Sequence, residues 1–224
     1  MLKKIILSTR PMAYKEEQVL FSTVDLETWH LPLAEIVRLP LTQQAQTAIR
    51  SADWLFFTSQ IPVSQILPYS PPKAKIAVIG AKTAAEVAAW GKSVSFVSQA
   101  PTKAAMIEEW HKLQRRPQRI FYAKSQLADD LLEKQLTTHH VISCVTYHNQ
   151  PNEANAKELR KLLQLNALHG VYLTSPSIVD RFYAVYKDFL DVSLELIALG
   201  ETTKQQIESY GLTATLLSVY MNQC

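Results

Sequence analysis

The fold is decided by residues 53–59, DWLFFTS, whose pattern returns at 169–175 as HGVYLTS. In each copy four largely apolar residues precede Thr-Ser, and a valine follows the threonine after five residues, at Val63 and Val179. A short apolar run that ends in turn-forming residues is typical of a buried strand followed by a helix. The sequence therefore predicts the same strand and turn twice.

A second pair of matching stretches follows each copy, IAVIGAKT at 76–83 and LIALGETT at 196–203. The glycine of each stretch is followed by another glycine after 11 residues, at Gly91 and Gly211. Because the landmarks share their order and nearly their spacing, they predict an internal duplication. The plainer alternative is that any α/β protein repeats strand-turn-helix units.

Each landmark has a role in turning the chain from a strand into a helix. The Thr-Ser pairs are predicted to cap the following helices, and Pro176 suits a first helical position. Gly80 and Gly200 let the chain turn sharply, and Gly91 and Gly211 are predicted helix C-caps. Each copy then presents two helix N-termini at the carboxyl ends of parallel strands, where open α/β sheets bind ligands and anions are favoured. We therefore expect a ligand with several carboxylates, held in the cleft between the copies.

The alternation of apolar runs with helical segments predicts an α/β fold built from parallel sheets. We expect two similar parallel-sheet α/β domains joined by a two-stranded β ladder, with the N-terminal segment completing the C-terminal domain. The predicted domains are 1–32 plus 151–224 and 40–140, and the apolar runs in 33–39 and 141–150 are the linker strands. The alternative is that both linkers are ordinary sheet strands.

Several other features narrow the class of protein. Of the 224 residues 47% are hydrophobic and 19% charged, which is ordinary for a soluble globular protein with a substantial core. The net charge of +3 is too small to indicate a nucleic-acid or membrane surface. Cys144 and Cys224 form no metal spacing or disulfide framework, which favours a reducing cytoplasm. A helix-like segment is predicted from Arg10 to about Phe21, and a last strand at 213–218.

The chain shows no arrangement typical of side-chain catalysis. There is no Ser-His-Asp order and there are no paired carboxylates. The adjacent His139 and His140 point to opposite faces of an extended segment, so they are not expected to share a metal ion, and a solvated turn is predicted there. Residues 80–83 are similar to a phosphate loop but lack its Gly-Lys pair and upstream glycine. We therefore expect no metal, no nucleotide and no other cofactor.

Taken in order, the motifs resemble uroporphyrinogen-III synthases over nearly the whole chain. They are STRP at 8–11, HLPL at 30–33, FTS at 57–59, IGAKTA at 79–84, VTY at 145–147, LTSPS at 173–177 and ALGETT at 198–203. The family's fold, two α/β domains joined by a two-stranded ladder, is the arrangement expected above. The chain departs from the family after the strand at 120–122, where Lys124 stands in place of a frequent arginine, so a bidentate carboxylate contact is not expected.

The resemblance implies a hydro-lyase of heme biosynthesis that acts on hydroxymethylbilane, a linear tetrapyrrole polycarboxylate. Such an enzyme removes the terminal hydroxyl as water and lets the substituted carbon of the last ring attack. That ring inverts through a spiro intermediate, and uroporphyrinogen III is formed. Without the enzyme the macrocycle closes uninverted, so catalysis rests largely on holding the last ring in place.

Candidate site residues follow from this interpretation. Tyr147 is the candidate acid for the departing hydroxyl, with the alternative that it only fills a strand position. Hydroxyls and backbone N–H groups at the matched turns are the candidate carboxylate contacts, with the alternative that they only cap helices. This set comprises Thr58, Ser59, Gly80, Thr83, Ser125, Thr174, Ser175, Ser177, Gly200, Thr202 and Thr203. Arg10, Lys82 and Lys124 are the candidate cations, with the alternative that they are solvated.

Two rival functions remain open from the sequence alone. A two-lobed module that binds a small anion without catalysis would show the same duplicated turns. A nucleotide-dependent transferase is disfavoured because the phosphate-loop pattern does not match. The family resemblance implies a monomer whose partner is a small-molecule substrate, with no nucleic acid and no membrane.

Overall fold

A computed structural model describes residues 4–11, 21 and 26–222. The predicted helix from Arg10 to Phe21 falls almost entirely outside these residues, as does Cys224. Contacts divide the chain into two units. The first unit comprises Met1–Ile36 and Gln150–Cys224, and the second comprises Val37–Asn149.

The strands of the described residues follow one another in short segments separated by helices. They are β1 (Lys4–Ser8), β2 (Leu26–His30), β3 (Ala34–Arg38), β4 (Trp54–Phe57), β5 (Lys75–Ile79), β6 (Phe96–Ser98), β7 (Arg119–Ser125), β8 (His140–Pro151), β9 (Gly170–Leu173), β10 (Glu195–Ala198) and β11 (Thr215–Leu216).

The helices of the described residues are mostly two to three turns long. They are α1 (Gln43–Arg50), α2 (Val63–Ile66), α3 (Ala81–Ala89), α4 (Lys103–Leu113), α5 (Leu131–Gln135), α6 (Glu153–Gln164), α7 (Pro176–Tyr186), α8 (Glu201–Ser209) and α9 (Leu217–Tyr220), with a 3-10 turn at Leu67–Tyr69. Within the described part of the chain, none of these helices has the length and apolar character needed to cross a membrane.

The first unit contains a five-stranded sheet in the order β11-β10-β9-β1-β2. β1 pairs in parallel with β9 on one side and with β2 on the other. The N-terminal segment therefore completes the sheet of the C-terminal part of the chain, and this prediction is confirmed. All pairings of this sheet are parallel, as the alternation of strands and helices requires.

The second unit contains a six-stranded sheet in the order β3-β8-β7-β4-β5-β6. β3 and β8 cover the two runs predicted as a ladder, and the unit boundary falls within both strands. The chain thus passes between the units through two neighbouring strands. From His140 to Tyr147, β8 also pairs in parallel with β7, so most of this strand is an ordinary member of the sheet.

The duplication is visible in the geometry of the two copies. β4 and β9 are both buried at every residue. α3 and α8 are both nine residues long, and each buries its third and seventh residues. Each helix is followed by a glycine in the left-handed region, Gly91 at φ 68° and Gly211 at φ 74°. The strand orders also correspond when β1 is matched with β7 and β2 with β8. The internal repeat is therefore structural, not a chance likeness of turns.

Both sheets are buried on their two faces, which suits parallel strands. In β4, Leu55 and Phe57 pack in one apolar cluster, while Trp54 and Phe56 pack in another on the opposite face. β1 and β9 divide their residues between two clusters in the same way. A run of apolar residues is thus used on alternate sides, as strand geometry requires.

The last strand is shorter than the sequence predicts. The apolar run at 213–218 forms only the two-residue β11, and Leu217–Tyr220 forms the helical turn α9. This turn buries Tyr220, whose ring centroid lies 5.9 Å from that of Phe21. Burial of the tyrosine ring favours the helical turn over continued strand.

Candidate functional site

The predicted turns lie at the carboxyl-end edges of the two sheets. β4 pairs in parallel with β5, so Thr58 and Gly80, which follow these strands, lie at one edge of the second unit. β9 pairs in parallel with β10, so Thr174 and Gly200 lie at the corresponding edge of the first unit. Each unit therefore brings its two matched turns side by side.

In the second unit the Thr-Ser turn is held by its own loop and by a neighbouring strand. The Thr58 hydroxyl lies 3.3 Å from the hydroxyl of Tyr122, a fully buried residue of β7. Burial raises the pKa of Tyr122, and the hydrogen bond with Thr58 opposes part of that shift. The Ser59 hydroxyl accepts a hydrogen bond from the N–H of Ile61 at 3.2 Å.

The prediction that Thr58 and Ser59 cap a helix is wrong. α2 begins only at Val63, with Pro62 at the cap position and no side-chain cap hydrogen bond. The intervening loop separates the hydroxyls from the helix. The serine instead closes a local turn of the kind that competes with capping, through its bond to Ile61.

In the first unit Ser175 takes the N-cap position of α7, and Pro176 is the first helical residue, as predicted. The Ser175 hydroxyl makes no cap hydrogen bond, so its predicted capping contact is wrong. It lies 3.2 Å from the Ser177 hydroxyl instead. Thr174, which precedes this pair, is half-buried. Three hydroxyl-bearing residues therefore cluster at the start of α7.

The two glycine turns differ in backbone conformation. Gly80 precedes α3 with φ 77°, which favours glycine, but Gly200 precedes α8 with φ −156°, an extended backbone that any residue adopts. An added Cβ would meet nothing within 4 Å at either position. The predicted conformational need for glycine is thus confirmed at Gly80 and wrong at Gly200.

This difference predicts unequal costs of substitution. Both glycines hold N-cap positions, so alanine should affect capping equally at the two sites. Of the two, only Gly80 has a left-handed φ, so only there does alanine also meet an unfavourable backbone conformation. We expect Gly80→Ala to lower the free energy of unfolding by about 1 kcal/mol more than Gly200→Ala does. Urea denaturation of the two variants measures the difference. Equal destabilisation would contradict the assigned turn at Gly80.

The threonines of the two Gly-x-x-Thr turns face inward. Thr83 and Thr203 are 5% and 2% exposed, whereas Lys82 and Thr202, one residue earlier, are exposed. A ligand at these helix ends therefore meets Lys82 and Thr202 before it meets the buried threonines. Adjacent residues of a helix point in different directions, so one can be buried while its neighbour is exposed.

Lys124 is buried at the carboxyl end of β7 and is neutralised within the protein. Its Nζ donates to Asp130 Oδ1 at 2.7 Å and to Glu133 Oε1 at 2.5 Å. Burial by itself would lower the pKa of Lys124, but the hydrogen bonds and charges of the two carboxylates outweigh it, and the net shift is upward. Next to it, the Ser125 hydroxyl accepts the N–H of Leu127 at 3.2 Å.

Arg10 holds the position in the first unit that Lys124 holds in the second. Ser8 of β1 pairs with Tyr172, and Tyr122 of β7 pairs with Phe56, so both cations lie two residues beyond matched positions. Burial raises the pKa of Tyr172, and the charge of Arg10 opposes that shift, which places Arg10 near the phenol. The equivalence becomes visible only when β1 is matched with β7.

Tyr147 lies where the pairing of β7 with β8 shifts register. Lys124 is opposite Val145, but Ser125 is opposite Tyr147, so Thr146 is the extra residue of a bulge. The Tyr147 side chain is 7% exposed, and within the described residues its hydroxyl has no hydrogen-bond partner. Bulges re-aim side chains near functional sites. The shift brings Tyr147 level with the end of β7.

The adjacent histidines do not form a solvated turn, and that prediction is wrong for His139. Its side chain is buried edge-on against Trp110, with ring centroids 4.9 Å apart, and Nδ1 accepts the N–H of Gln118. His140 is exposed, so the two do point to opposite faces as predicted. The described residues contain no group of three potential ligands that could hold a metal ion.

His139 makes stability depend on pH. Burial, followed by the nearby His111, lowers the pKa of His139, so the folded state favours the neutral ring. The neutral ring of His139 contributes fully to the stability of the fold above about pH 6.5, the ordinary pKa of histidine. That contribution is lost as the pH falls toward the lowered pKa of the folded state. We expect the free energy of unfolding to fall less between pH 7 and pH 5.5 in His139→Gln than in His140→Gln, as measured by denaturation at the two pH values. Equal losses would contradict the role of His139.

Matched parallel-sheet units whose strand ends carry polar turns define a class of duplicated α/β proteins. A model of the family described as uroporphyrinogen-III synthase HemD matches residues 16–220. The chain belongs to the uroporphyrinogen-III synthase family and is accordingly a cyclising hydro-lyase of heme biosynthesis.

Solved structures show the same fold. A mutant uroporphyrinogen III synthase from the extremely thermophilic bacterium Thermus thermophilus is similar with a TM-score of 0.65 and 15% identity, covering 98% of this chain and 96% of the other. The uroporphyrinogen-III synthetase from Helicobacter pylori 26695 is similar with a TM-score of 0.59 and 16% identity, covering 96% and 92%. No curated protein matches the sequence.

Proposed function

We propose that this chain converts hydroxymethylbilane to uroporphyrinogen III by holding the carboxylates of the substrate at the carboxyl-end edges of its two sheets. The observation that carries this proposal is the repeated edge, in which each unit sets a Thr-Ser turn beside a glycine turn. Helix N-termini and hydroxyls at such edges suit anions. A substrate with carboxylates on every ring offers several groups for such contacts.

The exposed and half-buried members of the predicted set are the proposed direct contacts. They offer hydroxyls, backbone N–H groups and two cations, and they are Arg10, Thr58, Ser59, Gly80, Lys82, Thr174, Ser175, Ser177, Gly200 and Thr202. Because many donors contact the substrate carboxylates, we propose that no single hydroxyl dominates binding. Removing one hydroxyl leaves the neighbouring backbone donors in place.

The remaining members support these contacts. Thr83 and Thr203 are buried on the inner faces of α3 and α8, and Ser125 is half-buried, but its hydroxyl already accepts the N–H of Leu127. Lys124 already has two carboxylate partners, so we propose that it fixes the loop after β7 rather than binding a substrate carboxylate. This revises the expectation of a free cation at that position.

Tyr147 is the proposed acid for the departing hydroxyl. A phenol without a partner in the described structure is able to donate a hydrogen bond to that hydroxyl as the carbon–oxygen bond breaks. Loss of water from the hydroxymethyl group leaves an electrophilic methylene carbon attached to the first ring, and the donor edges hold the last ring for attack by its substituted carbon. Positioning carries most of the catalysis, and Tyr147 assists the departure.

The product isomer tests the function directly. Purified protein is supplied with hydroxymethylbilane, and the products are oxidised to porphyrins and separated. We expect isomer III to dominate and to form faster than the spontaneous product. Isomer I alone, formed at the rate without protein, would overturn the proposal and favour a module that binds a small anion without catalysis.

Two proposals concern the whole molecule. We propose that the protein acts as a monomer, supported by the family resemblance, and in the cytoplasm, supported by cysteine usage. Cys144 is free and only partly buried. A single species of about 25 kDa in sedimentation experiments would support the monomer, and a larger species would contradict it.

A further inference from the structure

A pocket of about 320 Å³ lies in the first unit between α6 and α7. Its walls come from the facing sides of the two helices, with Ala156 on one and Ala184 on the other. Leu33 and Pro151 close it where the chain enters β3 and leaves β8. None of the residues assigned to the tetrapyrrole lines this space.

Positive charge dominates the pocket lining. Lys157 and Arg160 lie one turn apart on α6, and Arg181 approaches from α7, whereas Glu153 is the one carboxylate among the lining residues. Arg160 is partly engaged, since its Nη2 donates to Asp188 Oδ2 at 2.9 Å. With three cations and one carboxylate among its lining residues, the pocket favours an anionic ligand.

Arg181 lines the pocket from α7 and is half-buried. Burial lowers its pKa, and the nearby Asp180 opposes that shift. Asp180 itself accepts hydrogen bonds from Gln206 and Tyr210 at 2.6 and 2.8 Å. The planar fork of the Arg181 guanidinium matches a carboxylate or a phosphate.

Apart from Asn152, the rest of the lining is apolar. Leu33 and Val185 are buried in the core of this unit, and the alanines at 156 and 184 leave the space open between the helices. An occupant therefore meets both apolar side chains and cations. Pockets of this kind bind molecules with an apolar body and a few polar groups.

We propose that this pocket binds a small organic anion, a carboxylate or phosphate carried on an apolar skeleton. The site is separate from the sheet edges assigned to the tetrapyrrole. Asn152 reports on it, since its N–H donates to Leu33 O at 3.1 Å and both residues line the pocket. A ligand in the pocket changes the surroundings of that amide directly.

Amide chemical shifts in a titration of the full chain test the proposal. The probes are benzoate, its neutral counterpart benzamide, and inorganic phosphate, which has charge without an apolar body. We expect benzoate to give saturable shifts at Asn152 and Ala184, benzamide to give none, and phosphate to bind at least fivefold more weakly than benzoate.

Substitutions test separately whether binding depends on the lining cations and on the open space between the helices. Lys157→Gln and Arg181→Lys are each expected to weaken benzoate binding at least fivefold. Lys161→Gln is the control, because Lys161 lies on the same helix but pairs with Glu158 and does not line the pocket. Ala184→Leu keeps every charge, fills the space and suits a helix, so it should abolish saturable binding.

Three results would overturn the proposal: no saturable shifts with benzoate, equal affinity of Lys157→Gln and Lys161→Gln, or unchanged affinity of Ala184→Leu. Thermal melting of each variant establishes that it is folded before it is titrated. The titrations contain no tetrapyrrole, so their failure leaves the synthase activity untouched, and failure of the isomer assay leaves this site untouched.

Discussion

Tyr147→Phe is expected to lower the turnover of hydroxymethylbilane by about 100-fold, within the usual range for losing a general acid. The substitution removes only the hydroxyl, which has no partner in the described residues, so the ring still fills its place on β8. The free energy of unfolding should therefore change little. Turnover is measured as formation of isomer III, with stability followed by urea denaturation.

Tyr186→Phe provides the matched control. The Tyr186 hydroxyl donates to Val192 O at 2.7 Å within the first unit, at the C-terminal end of α7. Its loss should lower the free energy of unfolding by about 1 kcal/mol and leave turnover unchanged. The two variants thus separate a hydroxyl that serves the reaction from one that serves the fold. Full turnover in a folded Tyr147→Phe protein would exclude the acid role.

The local sequence was enough to predict the architecture. Residues 53–59 and 169–175 carry buried strands of the same length, and the glycines at 91 and 211 both take the left-handed conformation of a helix end. These features depend on neighbouring residues, so a short stretch determines them. The place of β1 beside β9 followed from interpreting the apolar runs in 33–39 and 141–150 as strands that link two domains.

The site depended on contacts that local sequence does not encode. Ser59 binds its own loop rather than a helix, and the partners of Lys124 lie six and nine residues further along the chain. Whether these side chains meet depends on how α5 packs. The register shift at Tyr147 depends on pairing between distant strands. Periodicity predicts elements, but not which polar groups find one another across them.

Matching the two units links the cations at the strand ends. Arg10 and Lys124 occupy corresponding positions, yet Lys124 is buried between carboxylates and Arg10 is half-buried beside Tyr172. We infer that the first unit uses its cation for the substrate, and the second uses its cation to order the segment from Asp129 to Glu133.

Lys124→Met is expected to lower the free energy of unfolding by about 3 kcal/mol, because removing one partner of a buried ion pair leaves a charge uncompensated. The cost falls mainly on Glu133, whose Oε2 is buried without a hydrogen-bond partner in the described structure. Asp130 is largely exposed and regains water when the lysine is removed. Urea denaturation measures the loss.

Two further variants test the cause of that loss. Lys103→Met removes the cation from Asp129 in the same segment, but that carboxylate is mostly exposed, so the loss should be far smaller. The double variant Lys124→Met with Glu133→Leu should recover most of the lost stability, because it removes the stranded charge and fills its place with apolar atoms. If the double variant is less stable than Lys124→Met alone, the lysine stabilises the segment by some means other than neutralising Glu133.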